Sequence, residues 1–142
     1  TRTYSTRHGA GPFPAGLPEY YWPETHNTSD GEQGSFRRGP FDTVLFRYAV
    51  RCTNPDSIAV THLDLFTERW PIVRSYEGPS SRIDNLETTD GGALTELLFD
   101  CDPNVETVDT SNILAEIERM AGVPVSIAGH GPGSYQSLRV FT

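Results

Sequence analysis

Apolar residues recur at helical spacing in two places along the chain. Phe41, Val44, Leu45, Tyr48 and Ala49 stand at i, i+3, i+4, i+7 and i+8, one apolar stripe directly after Gly39 and Pro40. Proline suits the first helical position and Asp42 suits the positive end of the dipole. A helix is therefore predicted from residue 40 onward, stopped by Asn54-Pro55. Ile113, Ile117, Met120 and Ala121 line one face of a second helix over 112–121, with Gly122 as its left-handed terminator. Short β-branched or apolar runs predict strands over 57–65, 71–76, 123–128 and 135–141, with a turn at 129–133. Residues 93–99 fit a short helix or a strand, and 77–92 read as loop.

The first 40 residues carry no sustained period and are rich in Gly, Pro, Thr and Asn. A stretch of that length without regular structure is expected to be functional. It is read as a short strand at 3–6 followed by substrate loops, pinned to the body by Tyr20, Tyr21 and Trp22. The alternation of strand and helix predicts an α/β fold, a mostly parallel sheet with flanking helices and long loops.

Composition narrows the partners. The 142 residues hold 36% hydrophobic content, enough for one core. The net charge of −8 argues against a nucleic-acid surface, and no run of about 18 apolar residues predicts a membrane span. Cys52 and Cys101 make no disulfide framework, so reduced thiols and a cytoplasmic setting are expected. All 11 cations are arginine, the residue that grips carboxylate and phosphate in a fork. The opening Thr1-Arg2-Thr3-Tyr4 has no signal-peptide character and reads as the interior of a longer protein.

Three motifs carry candidate chemistry. Thr61-His62-Leu63-Asp64 closes a predicted strand, where open α/β sheets bind ligands. A carboxylate there matches two adjacent donors, such as the N1–H and 2-amino group of guanine; the plainer alternative is a carboxylate capping a turn. Gly129-His130-Gly131-Pro132 follows another predicted strand, as a ligand loop or a simple turn. Gln33-Gly34-Ser35-Phe36-Arg37-Arg38 puts two arginines beside a glycine loop ahead of a predicted helix N-terminus, an anion site. Pairing of those arginines with Asp30 or Glu32 is the alternative. The histidines and cysteines show no metal-ligand spacing, and no G-x-x-x-x-G-K-[ST] loop is present.

In order and spacing, these motifs resemble the C-terminal part of adenylosuccinate synthetases. The most specific match is Thr6-Arg7-His8-Gly9-Ala10-Gly11-Pro12-Phe13, close to the family's Thr-Arg-x-Gly-x-Gly-Pro-Phe. Thr61-His62-Leu63-Asp64 resembles Thr-Lys-x-Asp, with His62 in the lysine's place. Gly129-His130-Gly131-Pro132 resembles Ser-Thr-Gly-Pro, and the family's following Asp-Arg is replaced by Gly133-Ser134. The arginine-rich segment is similar to the compact forms of archaea and phages.

The resemblance implies the C-terminal part of a P-loop-NTPase-like ligase fold in one segment. Residues 1–40 would supply substrate loops, and 41–142 the α/β part that binds the nucleotide base. It implies that Gly34, Ser35, Arg37 and Arg38 hold aspartate and a purine monophosphate, and that His62, Leu63, Asp64, Gly129, His130 and Gly131 surround the base. It implies no catalytic residue in this segment; His8 counts as scaffold. The phosphate loop, the proton-abstracting Asp, the phosphate-stabilising His and most Mg²⁺ contacts would belong to an N-terminal part of the same enzyme. The implied reaction joins L-aspartate to IMP with GTP hydrolysis, in a homodimer. A phage-type relative joining aspartate to dGMP with ATP is the close alternative, and a non-catalytic nucleotide-binding or interaction module is the alternative of a different class.

Overall fold

The computed structural model describes residues 1–20, 22, 27, 31–87 and 90–131, and the backbone of 138–140. Tyr21, Asp30, Pro132, Gly133 and Ser134, all named above, and most of the strand predicted over 135–141 lie outside the described residues.

A pair of short strands forms within the region expected to supply loops. β1 (Ser5–His8) pairs antiparallel with β2 (Phe36–Gly39), setting Thr6 opposite Arg38 and Arg7 opposite Arg37. Arg37 and Arg38 thus lie in a strand rather than in a loop at a helix N-terminus. The dipole argument for their anion site falls away, and their own guanidiniums must carry it.

β2 leads into β3 (Phe41–Asp42) and then α1 (Thr43–Thr53). The helix begins later than its apolar stripe predicts, because Asp42 keeps extended backbone angles (φ −89°, ψ 101°) and caps it. The Asp42 carboxylate accepts from the Val44 and Leu45 amides at 3.1 and 3.0 Å. Phe41 therefore packs from a strand, and Ala49 is exposed. Asn54, left-handed at φ 43°, ends the helix where Asn-Pro predicts.

β4 (Ile58–Val60) is much shorter than the predicted 57–65. His62 turns left-handed (φ 65°) and starts a single 3₁₀ turn over Leu63–Leu65, which ends the strand. β5 (Arg69–Glu77) follows, then β6 (Arg82–Ile83), α2 (Gly91–Phe99), β7 (Asp102–Asp109), α3 (Ile113–Ala121), β8 (Val125–Gly129) and β9 (Leu138–Val140). The ambiguous 93–99 is helical, with Asp90 accepting from the Gly92 and Ala93 amides. Gly122 closes α3 at φ 71°, as expected.

The sheets are mixed, which corrects the mostly parallel expectation. β3–β5 and β4–β8 are parallel; β1–β2, β5–β6, β5–β7 and β8–β9 are antiparallel. The largest departure is β7, which ladders along the whole of β5. Its residues are half-buried or exposed, none fully buried, and its sequence gives no apolar run to detect.

Two hydrophobic clusters meet at β5. Trp70 and Ile72 join Tyr4, Phe41, Val60, Ile113 and Ile117; Val73 and Tyr76 join Ala15, Val44, Leu86 and Leu98. Trp22 packs on the first cluster, with its ring 5.3 Å from Phe66 and 5.7 Å from Tyr4, and Tyr20 lies 6.0 Å from it. These contacts are the pinning expected of Tyr20 and Trp22.

Gly39 sits where the chain at Ala15 crosses β2. A Cβ on Gly39 would lie 1.6 Å from the Ala15 carbonyl oxygen, and backbone cannot yield as a side chain can. Gly39→Ala is expected to lower stability by about 3 kcal/mol in urea unfolding, the upper range for overpacking.

Two carboxylates give opposite acid responses. Asp42 is 2% exposed, and burial pushes its pKa up to about 6 against the opposing effect of the Tyr76 hydroxyl, which donates at 2.6 Å. Its contribution to stability is complete below the unfolded value near 3.8 and is lost as pH rises through about 6. Glu116 is held down at about 2, first by its bond from Arg119 and then by Arg74. Its contribution is present above 4.5 and lost as pH falls toward 2. Melting curves across pH are expected to lose the decline between about 4 and 6 in Asp42→Asn and the acid-side decline in Glu116→Gln.

Candidate ligand site at the strand ends

β4 and β8 run parallel, so both chains leave the sheet at the same end. There the backbone beyond β4 carries His62 to Asp64, and the backbone beyond β8 carries His130 and Gly131. Asp64 Oδ1 accepts the Gly131 amide at 2.6 Å across that gap. Gly131 takes φ 84°, which turns its N–H toward the carboxylate and which a side chain would resist. Two segments 67 residues apart thus place an acceptor pair and a backbone donor side by side.

The neighbouring contacts fix this end. Residues 1–3 extend the sheet beside β4: Arg2 bridges to Thr61 in parallel, the Thr61 amide donates to Thr1 O at 2.9 Å, and the Thr3 amide donates to Thr61 O at 3.1 Å. Thr3 is fully buried, and its hydroxyl donates to the His62 carbonyl at 2.8 Å. Trp70 donates its indole N–H to Thr3 O at 2.6 Å from beneath. The left-handed His62 is therefore held through Thr3, which bonds its carbonyl and is itself fixed by Thr61 and Trp70. Its exposed ring bonds Thr61 Oγ1 through Nδ1 at 2.9 Å and stands edge-on to Tyr4 with centroids 5.4 Å apart. Leu63 is 9% exposed and packs into the core, so it can offer only backbone to a ligand.

The second group lies on the β1–β2 hairpin. The Gly9 amide donates to Ser35 O at 3.1 Å, which ties the turn holding Gly34 and Ser35 to the glycine-rich segment after β1. Arg37 donates to Gly11 O at 2.5 Å and lies over the Phe13 ring at 5.5 Å. Arg38 donates to the Trp22 carbonyl and lies over Phe36 at 5.7 Å. A cleft of about 240 Å³ opens beside Arg37 and Arg38, and another of about 380 Å³ beside Arg2, Arg7 and Asp42. The groups are linked by Arg2, which bonds the Tyr4 hydroxyl at 3.2 Å and lies 5.9 Å from the centre of the Phe36 ring.

All ten residues singled out from sequence thus fall into two clusters, six at the strand ends and four at the hairpin. Sequence reasoning missed the supporting residues. Thr3, Tyr4 and Trp70 position His62, and Arg2 joins the clusters, but nothing in their local pattern marks them. No three or more His, Cys, Asp or Glu among the described residues could hold a metal ion together. No helix among them is long and apolar enough to cross a membrane.

Parallel strand ends bearing a carboxylate and a turned amide, beside a hairpin carrying arginines, define the class: an α/β segment of mixed sheets. Comparison with known proteins gives the family. The model of the adenylosuccinate synthetase family matches residues 1–138, and the chain belongs to that family. The adenylosuccinate synthetase of Parafrankia sp. is 33% identical over 96% of this chain and 36% of its own length. That of Thermobifida fusca is 30% identical over 98% of this chain and 37% of its own length. Among solved structures, fully ligated adenylosuccinate synthetase from Plasmodium falciparum superposes with a TM-score of 0.70 over 99% of this chain and 38% of its own, at 19% identity, a likeness of fold. The chain therefore spans little more than a third of the length of these relatives.

Proposed function

We propose that this chain is the base-reading and anion-holding segment of a purine-nucleotide ligase that joins L-aspartate to IMP as GTP is hydrolysed. The observation that carries the reading is the Asp64–Gly131 pair. Guanine presents one acceptor, O6, next to two donors, N1–H and the 2-amino group. Asp64 supplies two acceptor oxygens, and the Gly131 amide, which donates to Oδ1 at 2.6 Å in the free chain, would turn to O6 as the base enters. Adenine offers a donor at N6 and an acceptor at N1, and a carboxylate left facing N1 would lose a bond in a desolvated site. His62 offers the base an exposed ring face where the family motif has a lysine stem.

The reading assigns Gly34, Ser35, Arg37 and Arg38 to the carboxylates of aspartate and the phosphate of the purine monophosphate. Phosphoryl transfer, Mg²⁺ coordination and the proton-abstracting carboxylate are assigned to the remaining two-thirds of the enzyme, in a homodimer. His62 and the Gly129-His130 pair favour one second reading, a relative that joins aspartate to dGMP with ATP, because both depart from the family motif around the base. The test is a calorimetric titration of the chain with GTP and with ATP, followed by assay of aspartate ligation to IMP and to dGMP once the chain is joined to the rest of a family member. GTP binding with IMP ligation supports the first reading, ATP with dGMP the second. Neither binding nor ligation would leave a non-catalytic module.

A further inference from the structure

We propose that Arg7 is an anion-binding residue that works as a pair with Arg37, and that Gly11 is the pivot that brings the two guanidiniums together. The proposal deepens the ligase reading by adding a residue to its anion site. Arg7 and Arg37 are direct cross-strand partners on the hairpin, so their side chains leave the same face. Both then converge on Gly11 from different directions. Arg37 takes the Gly11 carbonyl at 2.5 Å. The Arg7 guanidinium covers the Gly11 α-carbon: Nη2, Cζ and Nε lie 1.8, 2.5 and 2.7 Å from where a Cβ on residue 11 would be.

Two cations directly opposite one another destabilise a hairpin. Among the described residues no carboxylate pairs with Arg7 or Arg37. Burial, and then the charge of Arg7, lower the pKa of Arg37. The Arg37 Nε is buried with no hydrogen-bond partner. An oxyanion with two or more acceptor oxygens would relieve both conditions, since it screens the repulsion and accepts from both forks. In a chain of net charge −8, such a paired cation is a selective feature rather than a general attraction. Carboxylate and phosphate share this chemistry, so L-aspartate and a purine monophosphate are the two sources.

The test uses the whole chain and four probes in separate titrations: inorganic phosphate, IMP, L-aspartate and GTP. Arg7→Gln removes one fork. Gly11→Ala keeps both arginines and the Gly11 carbonyl, and displaces only the flexible end of Arg7. Both variants are expected to weaken the anion probes about tenfold or more, the scale of a lost charge-assisted bond, with GTP affinity unchanged. Arg7→Lys is expected to recover part of the loss, because charge returns without the fork. Loss for phosphate and IMP names the phosphate as the source; loss for aspartate alone names the carboxylate. Wild-type affinity for every anion in both variants overturns the assignment. So does failure of the wild-type chain to bind any anion while it binds GTP, and in either case the base-reading site stands. If Arg7→Gln does not fold by circular dichroism, Gly11→Ala decides alone.

Discussion

Replacing Trp70 with alanine is expected to destabilise the chain by about 3–5 kcal/mol, the range for emptying a buried aromatic site. That is a large part of the roughly 5–15 kcal/mol that holds a domain together. Trp70 is fully buried, its ring lies 5.0 Å from Phe41, and its indole N–H is the donor to Thr3 O. The loss reaches the ligand site, because Thr3 supports the His62 carbonyl and pairs with Thr61. Trp70→Phe keeps much of the packing but leaves the Thr3 carbonyl without its donor, and is expected to cost about 1–3 kcal/mol. Urea unfolding at constant pH measures both, and a Trp70→Phe variant as stable as the wild type would contradict the tether.

The second large effect concerns Asp64. In Asp64→Asn the side chain offers one acceptor and one donor where the carboxylate offers two acceptors. Guanine's 2-amino group then faces an amide N–H, so GTP affinity is expected to fall by about 100-fold, as for a buried polar group left unpaired. Xanthine carries a carbonyl in place of that amino group and keeps N1–H. It matches asparagine as guanine matches aspartate, so the same substitution is expected to raise affinity for XTP. The Gly131 amide, which bonds the residue 64 side chain in the free chain, would turn to the O6 position of either base.

The sequence disclosed the ends of local elements better than the topology. The left-handed Gly122, the Asn54 stop and the strand-end position of Asp64 follow from residue types whose backbone preferences are strong. The start of α1 was blurred because Phe41 satisfies a helical stripe and a strand equally well, and only the capping geometry of Asp42 decides between them. β2 and β7 were hidden for a different reason. Arg37 and Arg38 lie side by side in a strand, and β7 reads Asp-Pro-Asn-Val-Glu-Thr-Val-Asp, so neither segment has an apolar alternation. Their pairing with β1 and β5 makes them strands, and pairing is a long-range property. The antiparallel content of the sheets came in with those two segments and with β6 and β9. The convergence of Arg7 and Arg37 on Gly11 depends on the same hairpin, which is why the sequence pointed to Arg37 and passed over Arg7.

The measurement that bears most directly on the base-reading site is the nucleotide preference of the wild-type chain and of Asp64→Asn, by calorimetric titration with GTP, ATP and XTP. The account predicts GTP ahead of ATP in the wild type, and a reversal to XTP ahead of GTP in the variant. An unchanged order of preference, or ATP ahead of GTP in the wild type, would contradict it.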